Sequence, residues 1–562
     1  MSWGRFVRGG KAWMLGAVAA AALAGCASDR GAAPQVAADA VYTNAKVVTV
    51  DDRSSIAQAF AVKDGRFIAV GSDAQVRAYV GPRTTVVDLH GRTVIPGLAD
   101  GHFHAAGGGP GIDLSTTRSI AELLAKITDA AAKAPAGAVL VSNSDWHEAQ
   151  LREQRTPTAE ELESAAPGKP VVVVRGGHSV FLNTTALAKW NITTSTAVPA
   201  GGAIPKNEQG RLTGELVDNA KRLIQLPPVA PPSLEQLEAE QRKLNSYGLT
   251  SVRLAAGSIE QWKQLQQLRA AGRATVRYTV LFREPLQRLQ AANLHQGDGD
   301  EWVRSTGVKM VVDGGFEGGH MTTPYAEPMG QGGKYKGIEV MPQGAFDDAV
   351  RAYHRAGWRV AVHAVGDAAV DEVLDGFARA NADKDLTQEG WAIEHAFVTR
   401  PDQYPRIKKL GLRMSVQDHL YLAAPVLRRY WGAERAAQVT PVKTYLDQGF
   451  LVAAGTDAPV IPVNPFWSMY HFLTRETISD GVYGANQAVT SRETLLRMFT
   501  INNARLTDDG AIKGSIETGK VTDFVVLSGD VMTVLEREVE RLKPVATFVG
   551  GRKVYQDPDV PL

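Results

Sequence analysis

Val94-Ile95-Pro96-Gly97-Leu98-Ala99-Asp100-Gly101-His102-Phe103-His104 is an apolar run that ends in two histidines one residue apart. In a strand, side chains at i and i+2 share a face, so both imidazoles can converge on one point. Neutral imidazole is the commonest protein ligand for zinc-like metals, and two converging rings supply half a site. A His-x-His tripeptide alone is more often loop decoration. Its context changes that reading, because a strand enters it, Gly107-Gly108-Gly109 follows it, and further ligand-type residues close later strands.

Downstream of this segment strands and helices alternate, the pattern of parallel β/α architecture. Strands are expected at residues 251–255, 275–281, 308–313, 359–364, 392–395, 413–417 and 451–454. Adding the His-x-His strand gives eight, the number a (β/α)8 barrel needs. Residues 234–247 read as a helix that turns through Gly248 into the next strand. Residues 115–230 break the alternation with two extra strand candidates, 138–142 and 171–175, and are expected to be an insertion after the first barrel strand.

Both ends of the chain read as short strands and turns. Residues 41–93 carry hairpin chemistry such as Asp64-Gly65, and residues 507–562 return to the same style with a turn at Gly550-Gly551. Neither piece can bury a core alone, so they are expected to pair into one small sheet domain around the barrel of residues 94–506. Residues 1–26 resemble a bacterial lipoprotein leader. Arg5, Arg8 and Lys11 precede a short apolar stretch that ends in Leu23-Ala24-Gly25-Cys26. The expectation is a lipidated Cys26, a linker over 27–40, and an exported protein, anchored at the outer membrane and facing the periplasm.

Cys26 is the only cysteine, so no intramolecular disulfide can form and any metal must be held by His, Asp, Glu or Lys. Residues 1–25 hold three basic residues and no acidic one, so their loss takes the formal charge from +1 to −2. That balance gives no sign of a nucleic-acid partner. The expected partner is a small molecule, with membrane contact only through the lipid. Oligomeric state is not legible.

Five further residues lie at or near the expected strand ends: Lys309, His363, Glu394-His395 and Asp457. A histidine closing an apolar strand is more often a satisfied core residue. A lysine within an apolar strand is harder to dismiss, because a buried ammonium is costly unless paired or modified. In this sense the series is stronger than its members. His178, after Arg175-Gly176-Gly177, is a candidate catalytic or substrate residue. Trp146, His147 and His419 are weaker candidates for a pocket wall, and His90, His295, His354 and His471 read as packing or surface residues. The glycine-rich stretch 314–337, with His320 and Tyr325, is expected to be a lid or pocket wall.

These motifs resemble the amidohydrolase superfamily, in particular its N-substituted formamide deformylase-like branch. The resemblance rests on 94–104, Arg175–His178 with Asn183, 308–314, His363–Asp367, Glu394-His395-Ala396, 455–460 and the tail 514–520 with Asp523. It implies a metal-binding barrel flanked by a β-sandwich built from both chain ends. It also implies one metal on His102, His104 and Asp457, and a second on His363 and His395. Lys309 would bridge them as a carboxylated lysine; unmodified, it would be held by Asp313 or a nearby carboxylate and the site could be mononuclear. Gln417-Asp418-His419 departs from the usual proline before the histidine, which leaves the placement of His419 open.

One or two divalent ions, zinc first, would lower the pKa of bound water from 15.7 toward about 7 and give a hydroxide nucleophile. Asp457 would then serve as base and acid, with His395 and His178 assisting. The expected activity is hydrolysis of a non-peptide or modified amide C–N bond. The alternatives are a mononuclear deaminase on His102, His104, His363 and Asp457, or a non-catalytic lipid-anchored binding protein.

Overall fold

The computed structural model describes residues 36–107, 109–229, 231–327 and 333–562. The expectations for the leader and Cys26 lie outside the described residues. Eight parallel strands form one sheet in sequential order: β1 (Leu98–Phe103), β2 (Leu249–Gly257), β3 (Arg277–Phe282), β4 (Val303–Val311), β5 (Val360–Ala364), β6 (Ala392–His395), β7 (Arg413–Gln417) and β8 (Val452–Gly455). Phe103 pairs in parallel with Ala458, just beyond β8. The Asp457 amide donates to the His102 carbonyl at 2.7 Å, so the last strand returns to the first. This is the expected (β/α)8 barrel.

Small residues fill its inner layer. Ala361, Ala392 and Ala453 meet Leu281 and Leu506 there. Outside, Gln343–Arg355 and Asp367–Asp383 bury Phe346, Val350, Val370, Val373 and Phe377 in the main core. Each such side chain, fully buried, contributes roughly 1.5–3 kcal/mol.

The segment 94–104 proves to be two strands. Thr93–Pro96 belongs to a six-stranded sheet and β1 to the barrel. They part at Gly97, where a Cβ would lie 2.2 Å from Thr250 Oγ1, so only glycine lets the chain pass this close to β2. β4 begins at Val303 and stops at Val311, which places Lys309 inside the strand and Asp313 beyond it.

The chain ends form two sheets, the arrangement of the β-sandwich that the resemblance implies. Arg66–Gly71, Ala59–Lys63, Ala40–Thr43 and Thr85–Asp88 make the first. In the second, Phe524–Leu527 and its two C-terminal neighbours join Thr93–Pro96, Lys46–Val48 and Ile56–Ala57. Between them Tyr42, Phe60, Phe67, Phe524 and Phe548 share a core, with Phe524 stacked on Phe548 at 4.3 Å. One sheet could not have enclosed this many aromatic rings; two facing sheets do.

The insertion after β1 carries a sheet of its own. Leu140–Val141, Val171–Arg175, Ser179–Leu182, Glu215–Asp218 and Gly202–Ala203 lie side by side. Three of these strands were not expected from sequence. Two are short or interrupted by turns, and Ser179–Leu182 follows its partner too closely to read as separate. The described residues of the 314–337 stretch are packed: Phe316, Met321, Tyr325 and Tyr335 are buried against Leu420, Leu427 and Trp431. Gly315, Phe316 and Glu317 make it a cavity wall.

Candidate active site

A cavity of about 560 Å³ opens at the carboxyl ends of the barrel strands, where such barrels place their chemistry. His102, His104, Lys309, His363, His395, His419 and Asp457 line its floor, and His178 lines its wall.

Asp457 is the hub. Its Oδ1 lies 2.9 Å from His104 Nε2 and 3.4 Å from His102 Nε2, and its Oδ2 lies 3.1 Å from His419 Nε2. Its backbone sits at φ +59°, and that of His395 at +72°. Both are left-handed conformations that non-glycine residues hold only when their surroundings impose them. At Asp457 those surroundings include Asp100, whose carboxylate accepts from the His102 and Thr456 amides at 3.0 Å each and from Thr456 Oγ1 at 2.6 Å. Asp100 thereby ties β1 to β8, and burial pushes its carboxyl up to about 7.

His102 is fixed from behind. Its Nδ1–H donates to Glu394 Oε2 at 2.6 Å, and Arg253 Nη1 donates to Glu394 Oε1 at 2.7 Å. This contact assigns the Nδ1–H tautomer and turns the Nε2 lone pair toward the cavity, where Lys309 Nζ lies 3.2 Å away. Burial and then the Lys309 charge hold the His102 imidazole down at about 4, so it is neutral at pH 7. Burial also holds His363 and His395 well below their ordinary range. Burial alone would raise Asp457, but His102, His104 and His419 outweigh it and keep the carboxylate ionised.

Burial lowers the Lys309 amine to about 8. The proposed partner Asp313 is engaged elsewhere, accepting from the amides of Val365, Gly366 and His320. Unmodified Lys309 contacts His102, and the charges of Glu394 and Asp457 favour its ammonium.

Two groups of donors lie close enough to share an ion: His102, His104 and Asp457; and His395, His419 and Asp457. The chemistry fits a cation. Asp457 Oδ1 is buried against the imidazole nitrogens of His102 and His104, and neutral imidazole lone pairs face the same space. His363 is in neither group, because its Nε2 faces the Gly314 carbonyl at 3.1 Å. Its ring nevertheless packs 4.5 Å from that of His395. His419 is brought into the cluster as the first residue of the helix His419–Trp431 directly after β7. His395 Nδ1 is paired with Gln417 Oε1 at 2.6 Å.

The insertion builds the wall. His178 sits in the hairpin turn after Arg175, with Nδ1 2.6 Å from Asp218 Oδ1. Burial would depress it, but Asp218 overcomes this and raises its pKa. Arg175 is buried among Glu148, Glu317 (3.0 Å) and Glu215 (3.8 Å). Burial lifts Glu215 to about 7, whereas Arg175 overrides burial at Glu317 and holds it at about 2. Trp146 donates to the Val174 carbonyl at 2.6 Å and lines the cavity; His147 accepts from the Ala149 amide at 3.0 Å as a cap. Asn183 caps a helix through the Ala186 amide at 2.9 Å and is structural. The carboxylates around Arg175 were not found by sequence reading. Only a buried arginine closing the strand 171–175 hinted that partners must exist.

Residues 85–555 match the sequence profile of the amidohydrolase family. The chain belongs to the amidohydrolase family. As a member it is a metal-dependent hydrolase acting on carbon–nitrogen bonds. N-substituted formamide deformylase of Arthrobacter pascens is 30% identical over 546 residues, covering 92% of this chain and 98% of that protein. Protein LONG AFTER FAR-RED 3 of Arabidopsis thaliana is 29% identical, covering 92% of each. An uncharacterised metal-dependent hydrolase from Pyrococcus horikoshii shares the fold with a TM-score of 0.67 at 23% identity, over 89% of this chain and 99% of that one.

Proposed function

We propose that this amidohydrolase cleaves the acyl C–N bond of a small N-substituted carboxamide, with N-substituted formamides as the first class to test. The observation that carries the reading is the placement of Asp457, one oxygen toward His102 and His104 and the other toward His419, on the floor of a cavity. The similarity to a formamide deformylase along nearly the whole chain supports the substrate class.

His102, His104 and Asp457 would hold a divalent cation, and His395 and His419 would extend the set on the other side of Asp457. When bound, the cation polarises the acyl oxygen and makes water nucleophilic at neutral pH. Asp457 takes the water's proton on a carboxylate oxygen and returns it to the leaving nitrogen. Glu394, itself held by Arg253, keeps His102 correctly turned, while burial and the Lys309 charge keep it neutral. The Lys309 amine, lowered to about 8, has a neutral fraction near pH 7 that can add carbon dioxide and become an anionic oxygen ligand. His178, aimed by Asp218, is a donor for the substrate from the wall. The deaminase alternative requires His363 among the ligands, and its engagement with Gly314 disfavours it. Anchoring through a lipidated Cys26 belongs to the same proposal.

Metal analysis of the purified protein, coupled to a panel of N-alkyl and N-aryl formamides and acetamides, tests this. The expected result is one to two tightly held ions per chain and release of the free amine. Tightly held metal with no hydrolysis of any amide would overturn the catalytic reading.

A further inference from the structure

We infer that the substrate carries a carboxylate besides its scissile amide, which makes an N-acyl amino acid the class this cavity accepts. The inference rests on the amide-hydrolase reading above and narrows it.

The cavity wall opposite in character to the histidine floor presents three cations: Lys221 and Arg222 from the 3-10 turn Asn219–Leu223, and Arg283 just beyond β3. Arg222 and Arg283 are exposed along this wall, and their guanidinium groups make no ion pair or hydrogen bond among the described residues. Lys221 donates only to the Gly177 carbonyl. The nearby carboxylates are shared with other cations, although Asp218 and Glu317 also act on Lys221 and Asp218 Oδ2 makes no hydrogen bond among the described residues. Asp218, the one acting on Arg283, is paired to His178 at 2.6 Å, and Glu317 is paired to Arg175 at 3.0 Å. Arg283 is close enough to the others for repulsion to matter. Partial burial lowers its guanidinium, Asp218 opposes that, and Arg222 lowers it further.

Three gathered cations, none in an ion pair among the described residues, repel one another and gain when an anion enters the cavity. Guanidinium groups bind carboxylates through paired, charge-assisted hydrogen bonds. The turn that carries Lys221 and Arg222 is held in place independently of them, because Asn219 Nδ2 donates to the carbonyls of Ala200 at 2.9 Å and Val340 at 3.2 Å. Trp146, Phe316, Phe397 and Val460 supply apolar wall for the remainder of the molecule. In the reaction, water adds its oxygen to the acyl carbon, the C–N bond breaks, and the nitrogen gains a proton. The products are a carboxylic acid and a free amino acid.

The test compares N-formylphenylalanine, its carboxamide and N-formylphenethylamine, which share one scissile bond and differ only in the anion. The expected kcat/KM is about 10-fold or more higher for the acid. In Arg283→Gln and Arg222→Gln the acid-to-amide ratio falls toward one, and in the wild type it shrinks as salt rises. Calorimetric titration of the same acid and carboxamide into the full-length protein supplies a readout independent of turnover. Binding of the acid alone, lost in Arg283→Gln, supports the anion wall even if neither compound is hydrolysed, and in that case it is the amide-hydrolase reading that fails. Equal binding and equal turnover of acid and carboxamide overturn the inference while leaving amide hydrolysis intact.

Discussion

The floor and the wall of the cavity are built on opposite principles. The floor is made of residues at the ends of barrel strands, locked by hydrogen bonds one residue deep: Glu394 behind His102, Gln417 behind His395, Asp100 behind the turn at Asp457. Much of the wall is made by an insertion whose strands are held through a buried arginine shared by three glutamates, with Arg283 and Phe316 added from loops after barrel strands. A floor of this kind fixes atoms to fractions of an ångström, as bond-breaking requires. A wall on an inserted sheet can be rebuilt without disturbing the strands, as a change of substrate requires. On the function proposed above, reaction type and substrate choice would be carried largely by different parts of the chain.

The sharpest way to break this division is to change one residue on each side and read both functions. Asp457→Asn should lower turnover about 10³-fold, while the unfolding midpoint of the metal-free protein stays within the range of ordinary polar substitutions. Retained turnover would remove Asp457 from the proton path. Arg175→Met strands buried carboxylates and should cost about 3–5 kcal/mol in urea unfolding, yet the metal stoichiometry of the folded fraction should be unchanged. Loss of metal there would show that floor and wall are one unit.

Glu394→Gln lies between these cases. It keeps the shape of the residue but weakens the acceptor for His102 and Arg253. We expect a 10–100-fold loss of metal affinity, measured by competition with a chelator.

Acid and base titrations pull the two regions in opposite directions. His102 is at about 4 when folded, so in the metal-free protein its contribution is present above 6.5 and is lost as pH falls toward 4. Glu215 is at about 7 when folded, so its contribution is full below 4.5 and is lost as pH rises through 7. Glu215→Gln should therefore flatten the decline of stability between pH 4.5 and 7, an effect on the order of 1 kcal/mol or more. An unchanged pH profile in that variant would place the titration elsewhere.

What could be read from sequence follows the same division. The barrel strands are apolar and periodic, so β6 and β7 were legible to the residue, and ligand-type residues at their ends stood out against an apolar background. His419 was underweighted because it begins a helix instead of ending a strand, and only the three-dimensional return of β7 beside β8 brings it to Asp457. Glu394 and His395 pose a related problem. Neighbours in a strand should face opposite sides, but the left-handed turn at His395 lets both reach the ring of His102. The wall was least legible, because Arg175, Glu148, Glu215 and Glu317 are far apart in sequence and no local periodicity links them. The two-sheet end domain was half legible: its strands could be found, but their division into facing sheets depends on pairing across the whole chain.

The break at Gly97 has a consequence for the order in which the molecule can assemble. One residue, Gly97, separates the last ladder position of Thr93–Pro96 from the first of β1, and on the side away from Lys46–Val48 the partner of Thr93–Pro96 is Phe524–Leu527. During synthesis the histidine pair emerges early, but the strand that leads into it has no neighbour on that side until more than four hundred further residues have followed. β1 likewise waits for the segment around Ala458 to close against it. The nascent chain thus passes most of its time on the ribosome with the histidine pair made but Asp457, His395 and His419 still to come, and the candidate site can gather only late in folding.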